Sequence, residues 1–108
     1  MKTETGEHLK PRSQYADEAV QLAIAGKWDE AVKLNKQIVE SFGADEETQN
    51  RLGKALSELG KLKDAKVAYE AALKLNPMNS IAKKNAARIN ALLHQKDCLL
   101  YTSPSPRD

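Results

Sequence analysis

At 108 residues, with 41% apolar and 30% charged side chains, the chain has the size and make-up of one small globular domain. Its 17 basic and 15 acidic residues leave a formal charge of only +2, too weak a field to point to nucleic acid or an anionic membrane as partner. No stretch has the length and apolarity of a secretory leader or a membrane span, so a cytoplasmic protein is expected.

Residues 1–11 form a polar leader without helical periodicity. Aromatic residues are 5% of the chain and its apolar content is mainly Ala, Leu, Val and Ile, a mixture that favours helices over strands. A first helix is expected from about Arg12 to Ala25, with Tyr15, Ala19, Leu22 and Ala23 at helical spacing. Gly26 ends it, because only glycine adopts the left-handed terminal conformation at little cost. The second helix, about Trp28 to Phe42, turns Ala31, Val32, Leu34, Ile38 and Val39 inward and stops at Gly43. Trp28 is expected to cover the turn as part of the core rather than to stand exposed as a binding hot spot.

Asp45 suits an N-cap for a third helix, about Glu46 to Leu59, whose first-turn acids Glu46 and Glu47 complement the helix dipole. Its inward residues are Leu52, Ala55, Leu56 and Leu59, and Gly60 closes it. The fourth, about Leu62 to Leu75, contributes Ala65, Ala68, Tyr69, Ala72 and Leu73. It ends at Asn76 and Pro77, since the residue before a proline is pushed out of the helical region. Asn79 or Ser80 caps a fifth helix, about Ile81 to Gln95, with Ile81, Ala82, Ala86, Ile89, Leu92 and Leu93 as its apolar side. Connections this short make neighbouring helices antiparallel.

An offset of 34 residues aligns Leu22 with Leu56, Gly26 with Gly60, Lys27 with Lys61 and Ala31 with Ala65, so GKWDEA recurs as GKLKDA between helices. At these residues the chain resembles the tetratricopeptide repeat family, whose unit reads W-x2-L-G-x2-Y, then A-x3-F, then P. The unit at 46–79 supplies Leu52, Gly53, Leu56, Ala65, Tyr69 and Pro77 at those places, with Ala72 beside them and Gln49 departing at the Trp position. The unit at 12–45 keeps Leu22 and Ala31, has Tyr15 for Trp and Ala19 for Gly, and departs at Glu18, Asn35 and Gly43. The resemblance implies an all-α fold in which antiparallel helix-turn-helix repeats stack as a short right-handed solenoid of five helices. Small residues at Ala19, Ala31, Gly53 and Ala65 would let helix backbones approach closely. Residues 80–97 are then either a capping helix or the first helix of a truncated third repeat.

Catalytic and cofactor motifs are missing: there is no G-x-x-x-x-G-K-[ST], G-x-G-x-x-G or G-x-S-x-G, and His8 and His94 lie far apart with no Cys or carboxylate set for a metal site. The expectation is therefore a non-enzyme without cofactor, acting as a protein–protein interaction module. Charge runs along the chain, with four basic against six acidic residues over 12–45, six against five over 46–79 and four against one over 80–97. The resemblance implies a concave groove lined by the first helix of each repeat: Ser13, Ala16, Val20 and Ala23, then Glu47, Asn50, Lys54 and Ser57, then Ile81, Lys84, Arg88 and Ala91. Asn50, Lys54, Ser57, Lys84 and Arg88 are the candidate binding residues for a protein or peptide, with acidic segments favoured. Two other readings are self-association through Ile89, Leu92 and Leu93 of the last helix, and an accessory role beside a missing downstream domain.

Residues 98–108, CLLYTSPSPRD, resemble the translation of a transposase-based sequencing adapter. On that reading the segment is a disordered artefact, Cys98 supports no redox or metal inference, and the chain is a fragment of a bacterial-type member of the family.

Overall fold

A computed structural model describes residues 11–102, with side chains through Gln95. Five helices follow one another: α1 (Arg12–Ile24), α2 (Trp28–Phe42), α3 (Glu46–Glu58), α4 (Leu62–Leu75) and α5 (Ser80–Thr102). Each packs against its neighbours in sequence, and α1 also touches α3. This is an all-α stack of helix-turn-helix units. Residues 1–10 of the polar leader, His8 among them, and residues 103–108 lie outside the described residues.

The two glycine turns are copies of each other. Gly26 has φ 76° and Gly60 φ 81°. Behind them the Lys27 amide donates to Leu22 O at 2.8 Å and the Lys61 amide to Leu56 O at 2.9 Å. These bonds satisfy carbonyls that a helix end otherwise leaves without partners. Ala31 and Ala65 then donate to Lys27 O and Lys61 O, both at 2.9 Å, starting α2 and α4 in the same register.

Caps are side-chain bonds where the sequence expects them. Asp45 Oδ1 accepts from the Thr48 amide at 3.1 Å, and Asn79, rather than Ser80, caps α5 by accepting from the Ala82 amide at 2.8 Å. Asn79 also donates to Glu46 Oε1 at 2.7 Å, and Asn76 donates to the same oxygen at 3.0 Å, so the first residue of α3 holds the start of α5. One unit earlier, Arg12 donates to Gly43 O and lies 3.5 Å from the Asp45 carboxylate, so the first residue of α1 holds the start of α3. The joint is the same with its charge reversed.

The continuous core belongs to α3, α4 and α5: Leu52, Leu56, Ala65, Ala68, Tyr69, Ala72, Ala82, Ala86 and Ile89. By contrast, Ala19 is the only buried residue of α1. Outside the core cluster, Tyr15 packs against Phe42 in a tilted pair with ring centroids 5.9 Å apart.

Three expectations need correcting. Ile81 is 57% exposed, because the buried stripe of α5 runs through Ala82, Ala86 and Ile89 and leaves position 81 to one side of it. Ile89 is fully buried within the chain, so Ile89, Leu92 and Leu93 do not form one uncovered face for self-association. The last helix also continues past Gln95, where the sequence reading ends it, to Thr102. No glycine or proline interrupts 80–103, and Pro104 is the first residue that stops a helix.

Candidate peptide-binding groove

The candidate site is a cleft of about 240 Å³. Its lining draws on every helix: Ala19 and Ala23 of α1, Ala31 and Asn35 of α2, Asn50, Arg51 and Lys54 of α3, Tyr69 of α4, Ile81 and Asn85 of α5. Alanines make the wall shallow on the α1 side and leave room between α1 and α3.

The floor is polar. Asn35 is 1% exposed, and its carboxamide is saturated: Nδ2 donates to Ala31 O at 2.9 Å while Oδ1 accepts from Arg51 Nε at 3.2 Å. Arg51 also donates to Thr48 Oγ1 at 3.1 Å, and its nearest carboxylate, Glu47, is 4.0 Å away and 86% exposed. The guanidinium charge is thus held by neutral oxygens and weakly neutralised.

The rim is cationic. Lys54 Nζ pairs with Glu58 at 2.8 Å and stands 6.0 Å from the centroid of Trp28, which is half-buried at the start of α2. Asn50 donates to Asn79 Oδ1 at 3.2 Å, while its own Oδ1 is buried with no partner among the described residues. Arg88 donates to Asn85 Oδ1 at 3.1 Å, one step from the cleft. Ser57 lies beside Tyr69, whose hydroxyl is pushed up in pKa chiefly by burial, with Glu58 adding to the rise and Arg88 and Ser57 opposing it.

Within this stack, residues 47–79 match the tetratricopeptide repeat family. Residues 47–79 are similar to one tetratricopeptide repeat. No curated protein matches it. A tetratricopeptide repeat is in general a protein–protein interaction unit and typically a non-catalytic one, and the match covers α3, α4 and the loop that leads into α5.

Of the residues the sequence singles out, the helix stack brings Ala23, Asn50, Lys54 and Ile81 of the expected groove into the cleft, together with Ala19, Ala31 and Tyr69 of the framework. Ser57, Lys84 and Arg88 lie outside its lining, and Lys84 and Arg88 are exposed on α5. Sequence reasoning passes over Asn35, Arg51 and Asn85. Asn35 shows there only as a departure from an aromatic position, and nothing local to it reveals the arginine that meets it from another helix. Among the described residues no group of His, Cys, Asp and Glu could hold a metal ion, and no helix is long and apolar enough to cross a membrane.

Proposed function

We propose that the cleft and its rim form the groove in which this protein holds an extended, acidic segment of a partner protein. The observation that carries the reading is the cationic edge beside an open cleft: Arg51 at its floor, Lys54 at its rim, and Lys84 and Arg88 exposed on the adjoining helix. Charged rim residues act mainly on encounter rate and on salt dependence, and the hydrogen-bonding floor acts on residence time.

The test is fluorescence anisotropy of a labelled peptide of alternating Glu and Gly against the full chain. Wild type binds it, more weakly at high salt, and rejects the matching Lys–Gly peptide. Lys54→Glu combined with Arg88→Glu weakens binding at least about tenfold, or ~1.4 kcal/mol, with an unchanged circular dichroism spectrum. Unchanged affinity in that variant removes the reading.

A further inference from the structure

The two repeat units solve the same packing position in different ways. Asn35 and Tyr69 are 34 residues apart, as are Ala19 and Gly53, and Arg51 and Asn85. In the second unit Tyr69 is 1% exposed and its ring lies so close to Gly53 that a Cβ built there would stand 2.7 Å from Cε2. In the first unit that position is an asparagine facing an alanine, and Arg51 reaches in from α3 to meet it. Arg51 satisfies the asparagine but does not replace a ring in volume. What remains beside Ala19, Ala23, Ala31 and Asn35 is the 240 Å³ cleft.

We infer that this cleft is a subsite for one aromatic side chain of the bound segment, which supplies from the partner the ring that Tyr69 supplies within the chain. Three observations support it. The volume suffices, since an apolar protein cavity of about 150 Å³ already accepts a benzene ring. The apolar surface the cleft offers is that of half-buried Ala23 and of Ile81, 57% exposed, with Ala19, Ala31 and the Tyr69 ring buried behind them, and a flat ring can lie on it. At the floor the Arg51 guanidinium, bonded to the neutral oxygens of Asn35 and Thr48 and only loosely paired with exposed Glu47 at 4.0 Å, faces the electron-rich side of an incoming ring, which is the charge complementarity a leucine in the same place lacks.

The inference rests on the groove reading, and its test is separable from it. The full chain is titrated with uncharged N-acetyltyrosinamide and N-acetylleucinamide and followed by proton–nitrogen correlation spectra. The expected result is saturable shifts centred on Ala19, Ala23, Ala31 and Asn35, at least fivefold tighter for the tyrosine amide. Asn35→Tyr, which places the ring within the chain, abolishes them. Ala23→Leu does the same without disturbing the Asn35–Arg51 bond and decides the matter if the first variant is unfolded. Scattered or unsaturable shifts, equal affinity for the leucine amide, or tight binding by folded Ala23→Leu would each overturn the inference. A Glu–Gly peptide that binds but gains nothing from one inserted tyrosine sinks the subsite and leaves the groove standing.

Discussion

Gly53 and Gly60 are glycines for different reasons. At Gly53 the backbone is helical and the obstacle is the Tyr69 ring, so Gly53→Ala overpacks the α3–α4 contact and is expected to cost about 1–3 kcal/mol. At Gly60 nothing lies within 4 Å of a would-be Cβ, yet φ is 81°, so Gly60→Ala costs about 1–2 kcal/mol by conformation alone. Urea denaturation measures both, and Tyr69→Leu should relieve the first penalty without touching the second. Arg51→Met leaves the buried Asn35 Oδ1 without its donor, with an expected loss of about 1–3 kcal/mol in the same assay. Asp45 adds a pH dependence. Burial alone would raise its pKa, but hydrogen bonds from Thr48 and the charges of Arg12 and Arg51 prevail and hold the carboxyl below its ordinary value. A carboxylate with a depressed folded pKa stabilises the fold above its unfolded pKa, near pH 4, and loses that contribution as acid protonates it. Thermal melts across pH 2.5–6 should therefore decline less steeply for Asp45→Asn than for wild type.

Helix by helix, the elements follow from punctuation in the sequence. Gly26, Gly60 and the Asn76–Pro77 pair stop helices, Asp45 and Asn79 start them, and the stops and starts lie within a residue or two of where those residues predict. The packing of α5 was less legible. Ile81 reads as core by type and is exposed, because small residues at 82 and 86 bring the helix in on a different face. The polar joint between α3 and α5 was not legible at all, since Glu46, Asn76 and Asn79 are unremarkable singly and meet only once the helices turn back on each other. For the same reason Asn50, a candidate binding residue on sequence grounds, proves to have its amide committed to Asn79. Asn79→Ala removes the cap and the shorter of the two bonds in the joint. An expected loss of about 1 kcal/mol from the cap should appear together with faster amide exchange in the first turn of α5.

At the scale of the molecule, each helix meets mainly its sequence neighbours, as expected for a stack of repeats. Stability in such a stack is distributed rather than global. The continuous core joins α3, α4 and α5, whereas α1 has Ala19 alone as a buried residue. Hydrogen exchange should therefore show α1 opening at least about tenfold more often than the core face of α4, and equal protection along the chain would contradict this account. Since α1 forms one wall of the cleft, the wall that a ligand would order is also the most easily opened.

The reversed joints have a consequence for how such a chain can be lengthened. Arg12 meets Gly43 and Asp45 inside residues 12–45, and Glu46 meets Asn76 and Asn79 inside residues 46–79. Each unit therefore carries both halves of its own clasp, and it presents to whatever follows a helix start already capped. Duplicating or exchanging whole units keeps every clasp intact whatever its polarity, whereas a splice placed a few residues out of phase separates the halves. The interchangeable part is thus the 34-residue block bounded by the clasp, not the helix pair alone.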